Sequence, residues 1–270
     1  MKIGIVGYGV VGKAIEKTLS KMYKIIKYDK YLNLDRFENL TDCDFVFISV
    51  PTPFDCQVNK VDDSAVIESL GRLDSIQFEK TVIIKSTLAP GSCENYSKNY
   101  NFKIVFNPEF LRESTTPNED FENQDTVVIG TENIKIFDSV KNLFKAVLVS
   151  HAKYYHTSKT EAEMIKCAQN TMLASRVALA NMIYDACEKN GLDYQKVKEI
   201  AFDKFEILGP HMTLVPGPDG ERGFGGKCLL KDIRAFSTIH DSELLDSIIE
   251  YNDTLRNDLD IFLSNYDKKI

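Results

Sequence analysis

Short apolar runs alternate with helically spaced stretches along roughly the first 150 residues. Lys2-Ile3-Gly4-Ile5-Val6 is an apolar run that ends in Gly7-Tyr8-Gly9-Val10-Val11-Gly12, after which Ala14, Ile15 and Leu19 recur at helical spacing. That pattern predicts strand, tight turn and helix. A second strand over 24–28 ends at Asp29, and further buried strands are predicted at 45–50, 81–85, 103–106, 126–129 and 147–149. Strands that alternate with helices imply an α/β fold with a doubly wound parallel sheet. From Ser158 the period changes to a single helical stretch that runs to about Asn190 and closes at Gly191. Glycine in that place suits a helix C-cap. Later helices are expected at 193–205, 231–239 and 242–264, with a Pro/Gly-rich loop at 209–227. The predicted organisation is a sheet domain over 1–154 and an all-helical domain with one long central helix over 155–270, hinged near 150–157.

Composition narrows the function classes. The formal charge of −7 argues against sequence-independent nucleic-acid binding, which needs a basic face to displace counterions. No run of about 18 apolar residues occurs, and the amino terminus begins a strand rather than a signal helix, so a soluble, cytoplasmic protein without membrane contact is expected. Six cysteines, at 43, 56, 93, 167, 187 and 228, show no C-x-x-C spacing. Reduced thiols and no metal site are the expectation.

Three groups of residues carry candidate chemistry. Gly7, Gly9 and Gly12 between a strand and a helix, with Asp29 at the end of the second strand, fit a dinucleotide-binding βαβ unit. The glycines let backbone approach a pyrophosphate, and the aspartate accepts from ribose hydroxyls, which favours NAD over NADP. Loops 49–53 and 86–91 follow strand ends and are expected to line the cofactor crevice, although plain turn chemistry also explains their Pro and Gly. Lys166 and Asn170 share a face of the long helix, able to steady an alkoxide or simply to meet solvent. Glu109 and Glu113 lie four apart after a strand end, and Glu109 is a candidate general base. Finally, Gly223-Phe224-Gly225-Gly226-Lys227-Cys228-Leu229-Leu230-Lys231-Asp232 sets one cysteine in a glycine-rich turn beside two lysines, with a helix predicted to start after it. Cations and a helix N-terminus favour the thiolate nucleophile, whereas a buried structural thiol is the plain alternative.

These segments, together with Val50-Pro51-Thr52-Pro53, Ser86-Thr87-Leu88-Ala89-Pro90-Gly91 and Asn107-Pro108-Glu109-Phe110-Leu111-Arg112-Glu113, resemble in order and spacing the successive motifs of the UDP-glucose/GDP-mannose dehydrogenases. The resemblance implies oxidation of a nucleotide-sugar C6 alcohol to the carboxylate, with two NAD+ reduced, and UDP-glucose as first-choice substrate. It implies Cys228 as nucleophile, Lys166 and Asn170 as stabilisers of oxyanions, Asp232 as the group that positions water, and Glu109 with Thr87 as aids to thioester hydrolysis. NAD contacts are implied for Gly7, Tyr8, Gly9, Val10, Val11, Gly12, Asp29, Pro51, Thr52, Ser86, Thr87, Glu113 and Lys231. Substrate contacts are implied for Glu109, Phe110, Leu111, Arg112, Lys166, Asn170, Arg222, Phe224 and Gly225. Family members continue into a third, nucleotide-binding-like domain, so the resemblance is to a shortened form. The chain also departs from the family at Leu229-Leu230, Ser114 and Cys167. A homodimer through the helix at 158–190 is expected. Two alternatives stay open: a two-electron β-hydroxyacid-type dehydrogenase, and an inactive nucleotide-sugar-binding relative.

Overall fold

The computed structural model describes residues 1–112, 116–205, 212–238 and 242–256. The elements of the first half are β1 (Lys2–Val6), α1 (Val10–Leu19), β2 (Lys24–Tyr28), β3 (Phe45–Ile48), a small hairpin of β4 (Phe54–Asp55) and β5 (Lys60–Val61), α2 (Ser64–Ser75), β6 (Thr81–Ile84), α3 (Ser92–Ser97), β7 (Lys103–Phe106), α4 (Pro117–Glu122), β8 (Thr126–Gly130), α5 (Ile134–Lys145) and β9 (Lys153–Thr157). They are followed by α6 (Lys159–Lys189), α7 (Tyr194–Lys198) running into a π turn at Glu199–Asp203, α8 (Lys227–Ser237) and α9 (Glu243–Leu255). The chain divides into two compact units, Met1–Asp55 with Val61–Lys166, and Cys56–Lys60 with the residues from Cys167 onward.

The seven strands of the main sheet lie in the order β2-β1-β3-β6-β7-β8-β9. Successive strand residues point to opposite faces, and both faces are covered. Ile3, Ile5, Phe47 and Ile83 join Phe121, Phe137 and Phe144 on one side. Val46, Ile48, Val82 and Ile84 join Val66, Leu70 and Leu73 on the other. Burial on both faces is why these strands read as continuous apolar runs instead of alternating ones.

The sheet corrects two expectations. It is not wholly parallel, because β8 runs antiparallel to β7, pairing Phe106 with Gly130, and β9 then follows β8 in parallel. No strand forms at 147–149. There Val147 and Leu148 donate back to the Phe144 carbonyl as α5 ends. The last strand is β9, whose Lys-Tyr-Tyr-His-Thr sequence is half-exposed or exposed throughout, as an edge position allows.

From Cys167 onward the regular elements of the second unit are all helices among the described residues. Ala174, Val177 and Ala178 of α6 pack with Phe224, Leu230, Ile233 and Leu245. A smaller cluster gathers Ala180, Cys187, Tyr194 and Val215. The helix predicted at 193–205 is α7 with its π turn, and Asp193 caps it by accepting from Gln195 and Lys196. Residues 257–264 of the last predicted helix and 209–211 of the predicted loop lie outside the described residues. Among the described residues no helix is long and apolar enough to cross a membrane.

Candidate active site

In the sheet order, β1 has β2 on one side and β3 on the other, so connections diverge from it and leave a crevice at the carboxyl ends. The loops there are stitched together: Ser49 Oγ donates to the Gly7 carbonyl at 2.9 Å, Ser86 Oγ to the Val50 carbonyl at 2.7 Å, and Thr52 Oγ1 to the Thr87 carbonyl at 2.7 Å. Asp29 ties the glycine turn to β2, its Oδ2 accepting from the Tyr8 backbone N–H at 2.8 Å and its Oδ1 from Tyr31 at 2.9 Å. Tyr8 itself lies with its hydroxyl on Glu16 and its ring 4.9 Å beneath the Lys27 ammonium.

The three glycines of the turn do different jobs. A Cβ at Gly12 would strike the Gly7 carbonyl, and one at Gly7, whose φ is +89°, would lie 2.5 Å from the Ser49 carbonyl oxygen. Both are demanded by the chain's own packing. A Cβ at Gly9 would meet nothing within 4 Å. Gly9 is the N-cap of α1, no side chain caps that terminus, and the first turn holds no acid. An open glycine before uncapped helix N–H groups fits the close approach of a pyrophosphate. The residues present therefore suit the cofactor proposed for them, and Asp29 stands at the end of β2 beside the glycine turn.

At the ends of β6 and β7 the same unit gathers a charged cluster. Glu109 is nearly buried: its Oε1 accepts from the Phe110 and Leu111 N–H groups at 2.9 and 3.1 Å, and its Oε2 lies 2.9 Å from Lys85 Nζ. Lys85 also donates to Asn107 Oδ1 at 2.8 Å, and Asn107 donates to the Val128 carbonyl at 2.7 Å. Burial pulls the Lys85 ammonium below its ordinary pKa, Glu109 opposes that pull, and Lys166 adds to it. Lys166 is buried on α6, its Nζ 5.4 Å above the Phe110 ring. One turn earlier on α6, the buried Glu163 accepts from the Gly91 and Cys93 N–H groups at 2.6 and 2.8 Å, anchoring the loop that carries Ser86 and Thr87. Burial raises its pKa against those two bonds. Leu111 packs against one face of the sheet core and Phe110 against the other. Arg112 forms a two-pronged pair with Asp120, at 2.9 and 2.7 Å. That pair holds the Asp120 carboxyl at about 2.

The second unit holds the thiol. Asn170 and Asp232 are both buried, and Asn170 Nδ2 donates to Asp232 Oδ2, while Lys231 Nζ lies 3.5 Å from Oδ1. Cys228 is exposed and belongs to the first turn of α8, which begins at Lys227, so the helix starts before the cysteine rather than after it. Cys43 and Cys93, by contrast, are buried, and burial pushes the Cys43 thiol up to about 11. Cys228 and Asp232 are one helical turn apart, hence on the same face.

The glycine loop before Cys228 is clamped at its backbone. Asn181 Oδ1 accepts from Gly223 N–H at 3.0 Å; Asn252 Oδ1 accepts from Phe224 N–H at 2.7 Å, and Asn252 Nδ2 donates to the Phe224 carbonyl at 3.1 Å. Arg256 donates to the Gly223 carbonyl at 3.3 Å and pairs with Asp219 at 2.7 Å. Phe224 turns its ring into the helical core. Gly225 has no Cβ because one would fall inside the Arg256 guanidinium. Arg222 pairs with Asp185 and lies 5.0 Å from the Tyr184 ring centroid. Glu113 and the side chain of Lys227 lie outside the described residues. Sequence reasoning missed Lys85, Glu163, Asn181, Asn252 and Arg256. A lysine ending an apolar strand and a glutamate three residues before Lys166 were visible signals; the clamp residues carried none.

A glycine turn crossed by hydroxyl ties, an acid at the end of β2 and a helical unit with an exposed thiol at a helix start define a dinucleotide-binding domain followed by a helical domain. The chain belongs to the UDP-glucose/GDP-mannose dehydrogenase family: residues 12–148 match that family's NAD binding domain and residues 160–254 its central domain. NAD is accordingly the cofactor of the first domain. The chain is 34% identical over 239 residues to the UDP-glucose 6-dehydrogenase of Rickettsia bellii, covering 84% of this chain and 52% of that protein. It is 30% identical over 233 residues to the UDP-glucose 6-dehydrogenase YwqF of Bacillus subtilis, covering 80% and 50%. It thus spans about half the length of the curated relatives it matches. The fold is also that of a UDP-glucose dehydrogenase from Pyrobaculum islandicum, with TM-score 0.81 at 23% identity over 94% of this chain and 68% of that one. A UDP-D-ManNAc dehydrogenase from Pyrococcus horikoshii gives 0.80 at 19% identity, over 94% and 69%.

Proposed function

We propose that the chain carries out the NAD-dependent oxidation of a nucleotide-sugar C6 alcohol to the carboxylate, with UDP-glucose as substrate. The observation that carries this reading is Cys228, exposed in the first turn of α8 and one turn before the buried Asp232 that Asn170 holds. A two-electron dehydrogenase has no use for that thiol.

NAD, when bound, would supply the hydride acceptor for both oxidations, of the alcohol and then of the thiohemiacetal, with the hydroxyl proton of each passing to solvent. Gly9 would admit its pyrophosphate to the start of α1, in a turn that Gly7 and Gly12 shape by packing, and Asp29 would hold its ribose. Between the two oxidations the Cys228 thiolate adds to the aldehyde carbon, and the carbonyl electron pair becomes an alkoxide. Lys166 and Asn170 stabilise that oxygen, one by charge and one by its amide N–H. The second oxidation leaves a thioester on Cys228. In that reading Glu109 takes a proton from water, the hydroxide adds to the thioester carbon, the C–S bond breaks to return the thiolate, and the acid released gives its proton to solvent to leave as the carboxylate. Asp232 orients the amide of Asn170 and assists the water.

The same reading includes a homodimer through α6. Ile165, Met172 and Leu179 recur every seven residues and are 37, 65 and 52% exposed, an apolar stripe on a helix of 31 residues. Leu179 and Met182 also line a cavity of about 180 Å³ with Ile248 and Tyr251.

The test is NADH formed per UDP-glucose consumed at limiting sugar, for wild type beside Cys228→Ala. Two NADH in wild type, with the second lost in the variant, supports the four-electron reading. One NADH per sugar in both proteins defeats it in favour of two-electron chemistry. No NADH from any nucleotide sugar, with NAD binding intact, defeats it in favour of a binding protein.

A further inference from the structure

We propose that Lys85 is a positioning residue for Glu109, a buried counter-charge that fixes the carboxylate in one orientation while charge develops in front of it. The inference rests on Glu109 acting as the base toward water. The Lys85 side chain has no exposed surface, and its ammonium touches Glu109 at 2.9 Å and Asn107 at 2.8 Å. The rings of Phe121 and Phe144 lie 5.2 and 5.9 Å from it. Both rings belong to the apolar core of the sheet.

A lysine in that place is a poor choice for stability alone. Taking an ion pair out of water costs more than the attraction generally returns, and an apolar side chain of similar volume stabilises a core at least as well. The pair has instead a directional effect. Glu109 Oε1 is held by two backbone N–H groups, and the Lys85 ammonium draws Oε2 by charge from 2.9 Å, so the carboxylate is fixed at both oxygens. Asn107, locked to the Val128 carbonyl, stops the ammonium from drifting. The charged groups that face Lys85 are Glu109 and Lys166. Lys166 meets the reacting oxygen in the proposed chemistry, whereas Lys85 sits behind the carboxylate, where no substrate reaches it.

The experiment compares wild type, Lys85→Met and Lys85→Gln in the full chain, each first shown to bind NAD. Glutamine keeps a donor for Asn107 and removes the charge, so it serves if methionine fails to fold. Without the cation a buried carboxylate takes up a proton more readily. The acid limb of the kcat profile is expected to move to higher pH by about 1–3 units, with KM for the nucleotide sugar changed less than threefold. Carbon-13 NMR of the Glu109 carboxyl, assigned with Glu109→Gln, should move in the same direction whether or not the protein turns over. That readout separates failure of this inference from failure of the proposed reaction. A uniform fall in kcat without a shift of the acid limb, or a carboxyl titration that superimposes on wild type, overturns the role.

Discussion

Replacing Gly225 by alanine adds one methyl group, and the structure says where it goes: into the guanidinium of Arg256. Arg256 must then give way, because the clash is with three of its heavy atoms at once. Displacing the guanidinium also loosens its pair with Asp219 and its bond to the Gly223 carbonyl, a charge-assisted set worth about 1.5–3 kcal/mol. The single substitution should therefore destabilise the helical unit by about 1.5–3 kcal/mol. Arg256→Ala alone should cost about 2–3 kcal/mol, since Asp219 is half-exposed and regains water. In the Arg256→Ala background the added methyl finds space, and Gly225→Ala should cost less than about 0.5 kcal/mol. The assay is a double-mutant cycle by urea unfolding followed by far-UV circular dichroism. A Gly225→Ala cost that is the same in both backgrounds would refute the claim that the glycine exists to admit the arginine.

Three further outcomes are expected. Gly9→Ala should leave thermal stability within about 0.5 kcal/mol of wild type yet weaken NAD at least tenfold, whereas Gly12→Ala should lower stability itself by about 1–3 kcal/mol; calorimetric titration and thermal melts separate the two. The Asp120 carboxyl titrates at about 2 instead of 3.8 because Arg112 is bonded to it, so its contribution to stability is complete above 3.8 and is lost as pH falls through about 2. The difference in melting temperature between wild type and Asp120→Asn should be visible at pH 6 and closed near pH 2, and it should be small because Arg112 is more than half exposed. If the proposed stripe on α6 joins two copies, wild type should run as a dimer by light scattering and Met172→Glu with Leu179→Glu as a monomer; a wild-type monomer would refute the interface.

Much of the site was legible because its chemistry is local in sequence. The glycine turn, Asp29 and the helix of α6 each announce themselves within a few residues, and the helical period alone puts Lys166 and Asn170 on one face. What escaped was long-range or directionless. No residue of β8 records which way the strand runs beside β7. The half-exposed residues of β9 gave no buried run to detect, while Val147 and Leu148, apolar only to close the end of α5, looked like one. Lys85 read as the polar end of a strand because its partner lies 24 residues away at Glu109. Asn252 and Arg256 hold the glycine loop from more than 25 residues further on, and only packing reveals that they do.

The helix α6 carries Glu163, Lys166 and Asn170 at intervals of three and four, and this has a consequence for how the chain can vary. A helix advances about 100° per residue, so one residue inserted between 163 and 170 would swing Asn170 a quarter turn or more from Glu163 and move it about 1.5 Å along the axis. A polar residue on the outer face of that stretch, such as the exposed Gln169, can be exchanged at little cost, but the length of the stretch cannot change. Substitution there is open and insertion is closed, so the seven-residue interval should behave in a deletion and insertion scan as a fixed ruler within an otherwise permissive helix.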